Sequence, residues 1–225
     1  MNNNPKGHFS DSPTGKGIFK QVADWKNLHV YQKSEVLVLL TDIFCKRFLP
    51  PYGDRTVDQM NQAARSGKQN IIEGSEAAMT SSETEVKLVN VGRSSFQELQ
   101  ADYHDYLKKN NLPLWGKRHP RFQKMVDFCR RNNDFDAYKP LAETLSAEEF
   151  CNMAITLCHI TDKMFSSYLK YLEKRFVEEG GIKERMHAAR TGYRQEMDSQ
   201  LRALQEENQR LKAENQELKR RLGIE

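Results

Sequence analysis

Hydrophobic residues recur along this chain at steps of three and four, which predicts helix after helix. The clearest stripe is Val89, Gly92, Phe96, Leu99, Tyr103 and Tyr106, the seam expected where helices pack at a shallow crossing angle. Ser82 and Glu85 precede it at capping-box spacing. Upstream, the pattern predicts a helix from Trp25 to Leu49 with Leu28, Tyr31, Leu39, Ile43 and Phe44 turned inward, ended by Pro50-Pro51-Tyr52-Gly53. Between these two, Val57, Met60, Ala64, Gly67 and Ile71 mark another helix, with a Thr56/Gln59 capping box and Gly74 as its stop. This stripe is small-sided. Gly in a helix interior costs about 1 kcal/mol relative to Ala, a cost that a close helix–helix approach at Ala63, Ala64 and Gly67 would offset.

After Lys109 the pattern is interrupted by Leu112-Pro113-Leu114-Trp115-Gly116 and resumes from Pro120 to Arg131 as a short helix with Phe122, Met125, Val126 and Cys129 inward. A loop holding Asn132-Asn133 and Pro140 leads to a capping box at Ser146 and Glu149, followed by the stripe Phe150, Met153, Leu157, Ile160, Met164 and Tyr168 and a stop at Gly180-Gly181. A charged suffix helix follows from Ile182 to Arg194, with Thr191-Gly192 as its joint. The last segment changes period. Met197, Leu204, Leu211 and Leu218 repeat every seven residues, and Leu201, Asn208, Asn215 and Leu222 fill the other core position of a leucine-zipper heptad. Glu207 and Glu214 at g face Lys212 and Lys219 at e of a parallel partner, while the two Asn favour dimers and fix register. The alternative for this segment is a solvated single helix.

Three stretches also carry a resemblance: Trp25-Lys26-Asn27-Leu28-His29-Val30-Tyr31-Gln32-Lys33, the run from Gln59 to Gly74, and Gly92-Arg93-Ser94-Ser95-Phe96-Gln97-Glu98-Leu99. Together they resemble a bacterial four-helix-bundle family. It includes proteins encoded in intervening sequences of large-subunit ribosomal RNA genes and the accessory variability determinant of diversity-generating retroelements. The likeness spans Trp25 to Tyr168, with Arg65, Asn70, Glu73 and Gly74 as the motif residues, and Phe176 to Met186 looks like the suffix of one branch. Where the family tends to show Arg-Ala-Ala-x-Ser-Ile, this chain ends the corresponding run in Gly67. The resemblance implies a four-helix bundle, assembly into pentameric rings, and accessory work beside a reverse transcriptase.

Charge sharpens that expectation. The whole chain is formally +4, yet Lys108 to Arg131 holds eight Lys/Arg and one Asp, a net +7, so the remainder is mildly acidic. Lys108, Lys109, Lys117, Arg118, Arg121, Lys124, Arg130 and Arg131, interleaved with Trp115, His119 and Phe122, are the candidate nucleic-acid-binding residues, offering charge and stacking surfaces to RNA or DNA. The plain alternative is an ordinary solvated face. A DNA-reading basic zipper is rejected, because Arg185, Arg190 and Arg194 are mixed with Glu184 and Glu196 and interrupted by Gly192.

Enzyme chemistry is not expected. The chain has no phosphate-binding Gly-rich loop, H-E-x-x-H or G-x-S-x-G motif. A bundle di-metal site needs two E-x-x-H motifs, and only Glu184-Arg185-Met186-His187 fits. His104-Asp105 reads as a solvated pair and Cys158-His159 as a buried or satisfied one, so no metal or cofactor is assigned. Cys45, Cys129, Cys151 and Cys158 show no C-x-x-C spacing and read as buried free thiols. With no apolar signal region or membrane-length run, a cytoplasmic location is expected.

The sequence therefore predicts an all-α chain: a flexible arm over residues 1–23, an up-and-down four-helix bundle over 24–179, a suffix helix over 180–194 and a coiled coil over 195–225. Its expected role is that of a non-catalytic nucleic-acid-binding accessory protein that self-associates. The competing role is an oligomeric scaffold that recruits a partner through its coiled coil without touching nucleic acid.

Overall fold

A computed structural model of the chain describes residues 24–50, 53 and 55–223; the predicted N-terminal arm lies outside the described residues. Among these the chain is all-helical, with α1 at His29–Phe48, α2 at Thr56–Ala77, α3 at Ser82–Lys109, α4 at Phe122–Arg131, α5 at Lys139–Thr144, α6 at Ala147–Glu179 and α7 at Ile182–Leu222. Short 3-10 turns stand at Trp25–Asn27 and Phe135–Ala137. The chain divides at Gly181 into two compact units, with α7 in the second.

In the first unit α2 packs most extensively on α3, α3 packs on α6, and α1 lies against both α2 and α6. The core they enclose is aromatic at its centre. Phe44 of α1 meets Tyr103 and Tyr106 of α3, each with ring centroids at 4.9 Å, and Phe150 of α6 at 5.5 Å. Leu37, Leu40, Phe96, Leu99, Met153, Leu157 and Phe165 fill in around them. The Tyr103 hydroxyl does not strand a polar group in this core, since it lies 3.0 Å from the hydroxyl of Thr41.

The small-sided stripe of α2 does bring α3 in close. A Cβ added at Gly67 would stand 2.4 Å from the Phe96 ring, and one at Gly92 would stand 2.9 Å from the Gly67 carbonyl oxygen. Backbone meets backbone here, so only glycine fits at Gly92. Gly74 is part of the same seam, against Val89, and not the end of the helix, which runs on to Ala77.

Helix ends separate local signals from long-range ones. The capping box at Ser146 and Glu149 forms as expected, with both reciprocal hydrogen bonds in place. Gly180 closes α6 at φ 68°, a conformation glycine adopts without penalty. The expected box at Ser82 and Glu85 is displaced: the cap of α3 is Ser81, whose hydroxyl accepts from the Thr84 N–H. Glu85 is fully buried and receives Arg175 of α6 in an ion pair. At α2 the cap position falls on Arg55, with no side-chain capping bond, so Thr56 is already the first helical residue. In α1, Leu39 is exposed where the sequence suggested core, and Lys33 is fully buried where it suggested nothing.

Lys33 has a structural explanation. Its ammonium donates to the carbonyl oxygens of Cys129 and Asn132, and Tyr138 donates to Asn132 at 3.0 Å. Cation and hydroxyl thus cap the C-terminal turn of α4, where carbonyls lack partners and the helix dipole favours positive charge. Burial nevertheless lowers the Lys33 pKa to about 8.

The second unit is different in kind. α7 runs through Thr191-Gly192 without a break, so the predicted suffix helix and coiled-coil segment are one continuous helix. None of its residues is buried.

Candidate nucleic-acid interface

The connection from α3 to α6 carries most of the predicted cations, and its shape is set by one tryptophan. Trp115 is 7% exposed; its backbone N–H donates to Asn152 Oδ1 at 2.7 Å and its indole N–H to Glu148 Oε1 at 2.7 Å. Asn152 returns a bond from Nδ2 to the Pro113 carbonyl at 3.0 Å. Asn152, itself buried, thereby fixes the loop to α6 at Pro113 and Trp115. The loop has no regular structure, yet two of its backbone polar groups, the Trp115 N–H and the Pro113 carbonyl, are matched by the Asn152 side chain, which helps an irregular segment stay ordered.

This corrects one expectation. Trp115 is not a stacking surface for a ligand: it is buried, and its ring already stacks on His119 with centroids 3.9 Å apart and planes at 16°. Phe122 is partly buried at the start of α4. What the loop does present is charge.

Lys117 and Arg118 are exposed on the loop, and Lys124 is exposed on the first turns of α4. Arg121, also exposed, is committed elsewhere. Its guanidinium donates to Glu149 Oε1, while Glu149 Oε2 accepts the Ser146 N–H at 3.0 Å. The Ser146 N–H, more than Arg121, holds the Glu149 carboxyl below its ordinary pKa. Arg121 therefore ties the loop to the capping box of α6 and contributes little free charge. A recess of about 350 Å³ lies here, lined by Trp115, His119, Pro120, Arg121, Ser146, Glu148 and Glu149.

The remaining predicted cations stand apart by element. Lys108 and Lys109 occupy the last turn of α3, where positive charge complements the helix dipole. Arg130 and Arg131 hold the same position in α4. Arg131 lines a second, open groove of about 860 Å³ together with Lys26, Glu35, Asp134 and Asp136, whose mixed charges give no preference for an anion. The eight predicted residues are all exposed, but they sit at three places in the fold.

The other candidate side chains divide in the same way. Of the motif residues, Gly74 belongs to the α2–α3 seam, Asn70 donates to the Ser66 carbonyl at 2.8 Å within its own helix, and Arg65 and Glu73 are exposed. Cys158 is buried, whereas His159 is exposed and bonds to Gln100 at 3.0 Å. Gln100 also lies 3.5 Å from His104, whose pKa burial and then His159 push down. A salt bridge and a hydrogen bond lock the same α3–α6 seam: Asp162 accepts from the Arg93 guanidinium at 2.7 Å and from the Gln97 amide at 2.9 Å. Among the described residues no group of three or more His, Cys, Asp or Glu is placed to hold a metal ion, and no helix is long and apolar enough to cross a membrane. All four cysteines are buried, and burial raises the Cys129 pKa to about 12.

Sequence reasoning missed Asn152, Glu148 and Lys33, the residues that position the loop and α4. The signal at Asn152 was available: a polar residue between Cys151 and Met153, in a run that is otherwise apolar from Phe150 to Leu157 apart from Thr156. The chain matches no protein-family model, no curated protein and no solved structure.

Proposed function

We propose that this is a non-catalytic nucleic-acid-binding accessory protein. Its first unit would be an up-and-down four-helix bundle of α1, α2, α3 and α6, a reading supported by the mutual packing of those helices. Its tail would be a coiled coil carried on α7. The observation that carries the functional reading is the exposed set Lys117, Arg118 and Lys124, held on a loop and helix start that Trp115 and Asn152 fix to α6. Cations on a prearranged scaffold bind phosphate without first ordering the chain. The family resemblance adds a reverse transcriptase as partner and a pentameric ring, set by the first unit, as assembly; pairing of α7 would then join one ring to another.

The test leaves Arg121 untouched, because it supports α6. Replacing Lys117, Arg118 and Lys124 by Glu should weaken retention of single-stranded RNA and DNA and reduce the slope of log affinity against log salt by about 2, through loss of counterion release. Equal, salt-insensitive retention by the variant and the unaltered protein would remove the proposal. A second reading, an oligomeric scaffold without nucleic acid, is favoured by the exposed apolar row of α7 and would then stand alone.

A further inference from the structure

The apolar row of α7 is uncovered: Met197, Leu201, Leu204, Leu211, Leu218 and Leu222 are each 45–69% exposed. They fall on one seam spaced at three and four residues, a length of about 39 Å at helical rise. Scattered surface leucines need no explanation, but a continuous stripe along a helix does.

We propose that this face is covered by the same face of a second copy of the chain, running parallel and in register. The inference rests on the coiled-coil reading of the tail and commits the exposed face to one occupant, a second copy of this chain. Charge decides the direction. Glu207 and Glu214 flank the row on one side, and Lys212 and Lys219 flank it on the other. In a parallel pair each Glu meets the partner helix's Lys five residues on, and every such contact attracts. In an antiparallel pair like sides meet, Glu against Glu and Lys against Lys, and every contact repels. The chain is thus complementary to itself in one direction only, and no foreign helix is needed to satisfy it.

The two asparagines point the same way. Parallel and in register, Asn208 meets Asn208 and Asn215 meets Asn215, and each amide can both donate and accept. Antiparallel packing sets a positions against d positions, which places each amide against leucine with no partner. Asn at a also selects two strands. Traced upstream, the same seam positions hold Arg194, Arg190 and His187, so the paired core begins at Met197. Both copies of the first unit then enter from the same end of the coil, which makes any nucleic-acid contact bivalent.

The four native cysteines are buried and stay silent to mild oxidation, so single introduced thiols can report the pairing in the full chain. Leu201→Cys and Leu218→Cys are prepared separately, one with a longer tag, then mixed and oxidised. The expected products are 201–201 and 218–218 dimers, with mixed 201–218 dimers below about a tenth of the total. Predominance of the mixed product overturns the parallel direction and leaves the coil. Absence of any cross-link, with tail helicity unchanged over a hundredfold dilution, overturns both the inference and the coiled-coil reading. Absence of a cross-link with dilution-sensitive helicity overturns the inference alone. Independently, Glu207→Lys with Glu214→Lys should weaken self-association of the tail about a hundredfold by turning four attractive contacts repulsive. Mixing that chain with Lys212→Glu/Lys219→Glu should restore pairing. Unchanged association in the charge variant would refute the pairing.

Discussion

The two units of this protein are both helical, but different physics makes them so. In the first, residues such as Phe44, Leu40 and Tyr103 are wholly buried, and each helix is held by the neighbours that cover its apolar stripe. In α7 no residue is buried, and 41 residues of helix have only local propensity and i,i+4 pairs such as Glu217 with Arg221 to sustain them. Most helical stability in proteins comes from tertiary packing of an apolar face. One helical stripe is therefore spent within the chain and the other is held in reserve, although the two look alike in sequence.

Substitutions can break that comparison. The largest effect is expected at the centre of the first unit. Phe44→Ala should destabilise it by about 3–5 kcal/mol, read as a fall in the denaturant midpoint of the first unit at a fixed protein concentration. Leu211→Ala should leave that transition in place and shift only the melting of α7. A first-unit midpoint lowered by Leu211→Ala would mean that α7 is not independent of the core.

The glycines give a second, smaller contrast with opposite signs. Gly92→Ala should destabilise by about 1–3 kcal/mol, because its methyl meets the Gly67 carbonyl and the backbones must part. Gly192→Ala has open space around it and should stabilise α7 by about 1 kcal/mol, the ordinary gain in helix propensity. Circular dichroism melts of the two variants decide it, and equal signs would dissolve the distinction between a spent and a reserved stripe.

What was legible in the sequence follows the same division. Periodicity located α3 and α6 because each stripe is long, and the Ser146–Glu149 box was readable because both members lie within one turn. The cap of α3 was misplaced by one residue because Glu85 answers to Arg175, ninety positions away, and not to its own helix end. Trp115 beside a run of cations suggested a stacking surface. Its burial depends on Asn152 and Glu148, whose approach only the tertiary fold brings about. Lys33 lies on the core face of α1, and nothing local announces that α4 will end against it. In α7 the helix was legible, and its heptad leucines stand exposed in the described chain.

The smallest expected effect concerns pH and the first unit alone. The Lys33 pKa is lowered in the folded state from 10.5 to about 8, so between those values the unfolded chain binds more protons, and this site adds stability as pH rises. Cys129, Cys151 and Cys158 act in reverse: burial raises each thiol above its ordinary 9.0, and together they remove more stability than Lys33 adds as pH rises above 9. Denaturation midpoints should therefore rise slightly from pH 8 to 9 and fall beyond it. Lys33→Met should abolish the rise and keep the fall, and a rise that survives the substitution would show that Lys33 is not its source.

The loop around Trp115 has a kinetic consequence. Because its backbone is tied to α6 through Asn152 and its tryptophan through Glu148, an anion arriving at Lys117 and Arg118 as proposed would meet side chains on a fixed frame. Encounter is then governed by diffusion and electrostatic steering, without a slower step in which the loop folds around its ligand. Association should be a single fast phase whose rate constant falls with ionic strength, while Asn152→Ala, which loosens the frame, should introduce a second phase that salt leaves unchanged.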